Sequence, residues 1–190
     1  GFARPRLARP LRWSAAIGRG ALAATLACAA LAVVITWYAA ASGRKLVTAA
    51  KLALSISASP DPGDPALAAR KQRILALTRE GVALNPHYRK LTPIIADELA
   101  RTGDWENATW IWESVLASRP HIVAILGNAA RGHSVMGHTD RALAYLARAK
   151  ALQPDAANVR SLEVLLLART GREPQALRQA KAAFAADIID

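Results

Sequence analysis

The chain has 190 residues, 53% of them hydrophobic and 5% aromatic, which is enough for one domain and an accessory segment. Its richness in Ala, Leu and Arg, without alternating β-branched runs, predicts an all-α protein. The formal net charge of +11 would suit a nucleic acid, but five arginines lie in the first 19 residues and no acidic residue precedes Asp61. Because the excess charge lies largely in one tail, we expect no nucleic-acid partner.

The chain opens with a basic flank and an apolar run. Residues 1–19 interleave Arg and Pro, and residues 20–43 follow without a single charge. At about 1.5 Å per residue such a run spans about 36 Å as a helix, which is enough to cross a hydrocarbon core of about 30 Å. We therefore predict a basic cytoplasmic flank at 1–19 and a transmembrane helix at 20–43.

Aromatic and basic residues at the two ends of the run predict its orientation. Trp13 lies before it, and Trp37 with Tyr38 near its end, where amphipathic rings settle at membrane interfaces. Five arginines precede the run, against three basic residues between positions 44 and 51. The positive-inside rule then puts the N-terminus in the cytoplasm and the rest of the chain across the membrane.

Two other interpretations of the apolar run stay open. A secretory signal peptide also has a basic start, and three alanines at 39–41 resemble residues before a cleavage site. The run is longer than the usual apolar region of about 7–15 residues, however, and Trp37 with Tyr38 would be unusual so close to a cleavage site. A buried helix of a soluble protein is the second alternative, because many alanines make the run only moderately hydrophobic.

Residues 44–65 are predicted to extend the helix and then form a Pro-rich linker, and residues 66–84 to form a capping helix. The extension has apolar residues on one face, whereas Ser59 to Pro65 contains three prolines and a glycine that break helices. Asp64 and Pro65 suit the start of the next helix. That helix would cover the first unit of a repeat array, because each repeat buries its apolar face only against its neighbours.

Residues 85–190 repeat the same punctuation three times. A helix-breaking proline, a turn glycine and a small residue within a helix each recur at an interval of 34, at Pro86, Pro120 and Pro154, at Gly103, Gly137 and Gly171, and at Ala108, Ala142 and Ala176. This rhythm predicts paired antiparallel helices, with the glycines in the left-handed conformation at helix ends. The segment resembles tetratricopeptide repeats, although a helical-hairpin array of other origin would give nearly the same fold.

Three tryptophans lie close together in the first repeat. Trp112 takes the core position of the repeat, and Trp105 can fold over the turn. Trp110 is about 200° away from Trp112 around a helix and cannot share its face. We expect Trp110 either to be exposed or membrane-facing, or to pack on the capping helix or on another part of a longer protein.

The sequence predicts no catalytic, metal or cofactor site. It has no Gly-rich phosphate loop and no nucleophile elbow. Cys28 is the single cysteine, and the spacing of His121, His133 and His138 does not place three imidazoles on one helix face. We expect His133 to be a packed core residue, and the segment to bind or scaffold.

The first helices of such repeats line a groove, and the register of the prolines and glycines places a set of polar residues there. This set is Lys90, Asp97, Arg101, Asn128, Arg131 and Arg169. Its sum is basic, so an acidic peptide, a phosphate or an anionic glycan would suit the groove. The alternative is that these are ordinary solvated charges.

The run RKLTPIIADELARTGDWENATWIWESVLASRP (Arg89 to Pro120), followed by AILGNAARGHSVMGHTDRALAYL and LEVLLLARTGRE, resembles the C-terminal region of bacterial O-antigen ligases and protein O-oligosaccharyltransferases. Those polytopic enzymes transfer a glycan from undecaprenyl diphosphate, and many end in one span and a periplasmic helical-repeat tail. The resemblance implies a non-catalytic scaffold or acceptor-positioning tail, periplasmic at a bacterial inner membrane. No catalytic residue of those enzymes corresponds to a residue of this chain.

The resemblance also implies that the chain is a fragment whose partner is the rest of a polytopic enzyme. The chain begins with Gly rather than Met and opens in mid-pattern, which is typical of a processed product or of a fragment of a longer protein. The alternative function is a stand-alone membrane-anchored adaptor that binds a protein partner in its groove.

Overall fold

The computed structural model describes residues 14–57, 65–86 and 90–186. Over these ranges the chain is all-α, without a strand, as the composition predicts. The eight helices are α1 (Ala15–Ser57), α2 (Pro65–Leu84), α3 (Thr92–Arg101), α4 (Trp105–Ser118), α5 (Val123–Val135), α6 (Thr139–Leu152), α7 (Ala157–Arg169) and α8 (Glu173–Ala185).

The chain divides into two compact units, residues 1–40 and residues 41–190. In the first unit, the described part of α1 is apolar and its side chains are exposed. By length and composition, helix α1 is long and apolar enough to cross a membrane. Trp37 and Tyr38 are 59% and 44% exposed, and their rings meet edge to face at 5.0 Å. Trp13 lies outside the described residues.

In the second unit, the last part of α1 packs with α2. Leu46, Ala49 and Ala53 are fully buried, because they recur on one face of the helix. Ser42 Oγ donates a hydrogen bond of 2.7 Å to the carbonyl oxygen of Gly81 in α2. The predicted extension of the helix is therefore part of the folded domain. Most of the predicted linker, residues 58–64, lies outside the described residues.

Helices α3 to α8 form three hairpins, α3 with α4, α5 with α6, and α7 with α8. Each hairpin turns at a glycine with positive φ, at 80° for Gly103, 80° for Gly137 and 72° for Gly171. At each turn the N–H of the residue after the glycine donates to the carbonyl oxygen five residues earlier, which is the hydrogen bond of a Schellman motif. In the first turn Asp104 N donates to Leu99 O at 2.9 Å. The prediction of three tetratricopeptide-like hairpins in an α-solenoid is confirmed.

Small residues let the helices of each hairpin approach closely. Ala108 and Ala142 are fully buried and Ala176 is 5% exposed, as the repeated alanines predict. Between α4 and α5 the backbone of Gly132 lies directly against Thr109, since a Cβ on Gly132 would lie 2.0 Å from Thr109 Oγ1. This contact brings the first repeat against the second.

Candidate functional site

A pocket of about 480 Å³ lies where α3, α4 and α5 meet. Because α3 and α5 are the first helices of adjacent repeats, side chains one repeat apart face the same space. The pocket, which we call the inner pocket, is lined by Asp97, Ala100, Arg101, Trp105, Trp112, Asn128 and Arg131.

Asp97 joins the three helices of the inner pocket. Its Oδ1 accepts a hydrogen bond from Trp112 Nε1 at 3.2 Å and another from Asn128 Nδ2 at 3.3 Å. Burial raises the pKa of the Asp97 carboxyl, while the Trp112 hydrogen bond opposes the rise by stabilising the charged form. A carboxylate with two donors on one oxygen is held in a fixed position.

The charges around the inner pocket are close to balanced. Arg101 Nη1 lies 3.0 Å from Oε1 of the buried Glu98, one turn away on α3. Arg131 is exposed and lowers the pKa of Asp97 through its charge. The pocket lining carries two arginines and one carboxylate, and Glu98 next to it pairs with Arg101, so the pocket is less basic than the predicted set of groove residues.

The structure brings four of the six predicted groove residues together, Asp97, Arg101, Asn128 and Arg131. The other two do not line the pocket. Lys90 is exposed, and Arg169 Nη1 donates to Ser134 Oγ at 3.1 Å. A role for any of the six in binding stays a prediction.

Two tryptophans of the inner pocket were not among the predicted groove residues. Trp112 is 2% exposed, which confirms its predicted core position, yet its indole N–H reaches Asp97. Trp105 is partly buried and lines the pocket beside it. Trp110 is also partly buried, and the Arg79 guanidinium of α2 lies 5.3 Å from its ring centroid. Of its two predicted placements, packing on the capping helix is the one observed.

A second polar cluster surrounds His133. This residue is 2% exposed, as predicted, and its Nε2 lies 2.9 Å from Glu113 Oε1. The Tyr145 hydroxyl donates to the same oxygen at 2.9 Å, and its ring stacks on the imidazole at 5.5 Å with an interplanar angle of 8°. His133 Nδ1 lies 3.3 Å from His138 Nδ1, whereas His121 is exposed.

The His133 cluster could not be predicted from spacing, because Glu113, His133 and Tyr145 come from three different helices. Burial and the neighbouring Glu113 carboxylate raise the pKa of Tyr145. Among the described residues, no group of His, Cys, Asp or Glu has the arrangement of a metal site.

Comparisons with known proteins give a structural likeness only. No protein-family profile matches the chain, and no curated protein matches it. Among solved structures, "Crystal structure of MamA" has a TM-score of 0.53 at 13% identity and covers 62% of this chain and 69% of that one. "MamA MSR-1 C2" has a TM-score of 0.51 at 16% identity and covers 78% and 96%. At such identities the likeness supports the fold, an all-helical array of hairpins, and it does not establish a family or a function.

Proposed function

We propose that this protein is a membrane-anchored adaptor whose helical repeats bind a segment of a protein partner in the inner pocket. The observation that carries the proposal is the open pocket between two adjacent first helices, which is lined by both polar groups and tryptophans. The likeness to MamA agrees with such a helical array.

The groups in the pocket suit a peptide. Both of the hydrogen bonds to Asp97 end on Oδ1, so Oδ2 is available to a donor on the ligand. The amide oxygen of Asn128 and the guanidinium of Arg131 can meet an N–H and a carbonyl of a peptide backbone. Trp105 offers apolar area beside these groups. A volume of about 480 Å³ accommodates a few side chains.

Position-specific photocrosslinking tests the proposal. A photoreactive aromatic amino acid replaces Trp105 in the full chain in its native host, and Lys181, exposed on α8, is the control position. We expect one defined protein adduct from position 105 that is absent from position 181. The same set of adducts from both positions, or no protein adduct from position 105, would refute a partner in the pocket.

The anchoring part of the proposal rests on α1. Its apolar segment has the length and composition of a membrane span, and its side chains in residues 15–40 are largely exposed. We expect the chain to resist extraction from membranes by alkaline carbonate. We also expect a reporter fused after Asp190 to be active only across the membrane. Extraction into the soluble fraction, or a reporter active only in the cytoplasm, would contradict the anchor or its orientation.

The second candidate is the periplasmic tail of an O-antigen ligase or protein O-oligosaccharyltransferase at a bacterial inner membrane. It is favoured by the sequence resemblance from Arg89 to Pro120 and by the order of basic flank, apolar helix and repeats. In that case the domain would position an acceptor or the rest of the enzyme, and anionic glycan would be its other ligand. A coding sequence before Gly1 with about ten further apolar spans would support it, and a nearby start codon would remove it.

A further inference from the structure

A second concave surface lies between α4 and α6, the second helices of the first two repeats. It has a volume of about 430 Å³, and we call it the outer cleft. The outer cleft is lined by Glu113, Arg141, Ala144, Tyr145 and Arg148. It shares no residue with the inner pocket, so it does not depend on the function proposed there.

Tyr145 is the fixed element of the outer cleft. Its hydroxyl is bonded to Glu113, and one face of its ring stacks on the buried His133. The Arg148 guanidinium lies 5.3 Å from the Tyr145 ring centroid. A ring with three such contacts cannot turn without breaking them, so it is a rigid support for a cation.

Arg148 is pre-positioned by that support. Its Nη2 donates to the carbonyl oxygen of Pro120 at 3.3 Å. A guanidinium has five N–H donors, so further donors are available to a ligand in the cleft. Fixing the side chain before binding reduces the entropy lost when an anion is bound.

Arg141 supplies the second positive charge. It lies seven residues before Arg148 on α6, which places the two Cα atoms about 10.5 Å apart on the same helix face. Its guanidinium has no ion pair among the described residues. Ala144 stands between the two arginines and leaves room for a ligand.

Two carboxylates at or near the outer cleft would repel a bound anion. Glu113 lines the cleft, but its Oε1 already accepts from Tyr145 and contacts His133. Asp140 lines an adjoining pocket with Arg141. The lining of the outer cleft itself carries two arginines and one carboxylate that is already bonded, so its surplus is positive.

We propose that the outer cleft binds an acidic segment of a protein partner, with one carboxylate for each of its two arginines. Arg148, held on Tyr145, binds one carboxylate through the donors that Pro120 does not use. Arg141 binds the second. Guanidinium groups bind carboxylates through paired N–H donors, so the contact is directional as well as electrostatic.

The test uses the full chain in neutral detergent micelles and a fluorescein-labelled hexaglutamate peptide, followed by fluorescence anisotropy at low salt. The peptide offers carboxylates at spacings up to about 17 Å. The test variant is Arg141→Glu with Arg148→Glu. The control is Arg172→Glu with Arg178→Glu, which makes the same change of net charge at exposed residues near and within α8.

We expect saturable binding that weakens by about tenfold or more in the test variant, which corresponds to about 1.4 kcal/mol. We expect the control to weaken binding several-fold less than the test variant, because its reversed charges act on the peptide only at long range. Circular dichroism establishes that both variants keep the helical fold. Equal weakening in test and control, or no saturable binding by the wild type, would overturn the proposal.

Two further arms distinguish the outer cleft from the inner pocket and from a nucleic-acid site. Arg131→Glu changes the inner pocket only, so it should leave hexaglutamate affinity within about twofold. A labelled oligothymidylate of six nucleotides should bind more weakly than hexaglutamate and should not distinguish the test variant from the control. Tighter binding of the oligonucleotide, lost only in the test variant, would show a nucleic-acid site and refute an acidic protein segment.

Discussion

The contact between Gly132 of α5 and Thr109 of α4 provides a sharp test of how the first two repeats pack. In Gly132→Ala the new Cβ would lie 2.0 Å from Thr109 Oγ1, 3.2 Å from Thr109 Cβ and 3.4 Å from Trp112 Cζ3. Turning the Thr109 side chain removes the first contact but leaves the second. The two helices must therefore separate slightly.

Two opposing effects determine how much Gly132→Ala changes the stability of the domain. Alanine is favoured over glycine within a helix by about 0.5–1 kcal/mol, whereas overpacking a close contact costs about 1–3 kcal/mol. We expect Gly132→Ala to destabilise the domain by about 0.5–2 kcal/mol. For a chain of this size that lowers the melting temperature by about 1–8 °C.

Gly127→Ala is the matched control, because it lies on the same helix and its Cβ would meet only Leu162 Cδ2 at 4.0 Å. It should raise the melting temperature by about 1–4 °C, since only the helix preference acts. Thermal unfolding of the full chain in detergent, followed by tryptophan fluorescence, measures both. In a Thr109→Gly background, which removes both the Oγ1 and the Cβ contacts, the loss from Gly132→Ala should shrink by at least half. Equal stabilisation by the two alanines would refute the close packing of α4 on α5.

Three more predictions concern single groups. Gly137→Ala should cost about 1–2 kcal/mol in thermal unfolding, because a Cβ is strained at a φ of 80°; a gain in stability like that expected for Gly127→Ala would contradict the left-handed turn. Burial raises the pKa of Asp97 in the folded protein above its ordinary value of 3.8. The protonated carboxyl therefore stabilises the fold at a pH below 3.8, and this stabilisation is lost as the pH rises through the pKa of the folded state. The stability of the wild type relative to Asp97→Asn should therefore fall from pH 3 to pH 7 in urea unfolding, and a rise would count against a desolvated carboxyl. The pKa of Tyr145 is raised as well, by burial and by Glu113. The free energy of unfolding of the wild type, relative to that of Tyr145→Phe, should therefore fall as the pH rises above 10.0. A difference in unfolding free energy that does not change with pH would contradict the burial of Tyr145 beside Glu113.

The repeat architecture could be predicted because turns and close helix contacts are local requirements. A positive φ demands glycine, and a helix crossing demands a small residue, so both recur in the sequence at the period of the fold. Gly103 and Ala108, for example, predict a turn and a close helix contact whatever the distant residues are. The apolar faces of α1 and α2 follow from helical periodicity in the same way.

The polar contacts could be predicted only in part, because they join residues that the sequence keeps apart. The register of the repeats places Asp97 and Asn128 in one groove, yet nothing in the spacing shows that the Trp112 indole donates to the same carboxylate. Likewise Glu113 and Tyr145 are 32 residues apart and meet only because α6 follows α4 in the array. Such contacts depend on side-chain rotamers in three dimensions.

Charge was the least reliable guide to the groove. Counted along the sequence, the predicted set is basic, but Lys90 and Arg169 lie away from the inner pocket and Glu98 pairs with Arg101. The inner pocket and the outer cleft are each lined by two arginines and one carboxylate, so both linings carry the same small positive charge. A formal sum over a predicted face does not include the acidic neighbours that folding brings in.

Whether the inner pocket holds a partner is the central question, and photocrosslinking from position 105 in two charge-reversed backgrounds tests it most directly. Arg131→Glu changes the pocket, and Arg178→Glu makes the same change of charge on α8. We predict that the defined adduct falls by about tenfold with Arg131→Glu, as for a lost contact of about 1.4 kcal/mol, and is unchanged with Arg178→Glu. An adduct of equal yield in both backgrounds would contradict binding in the inner pocket.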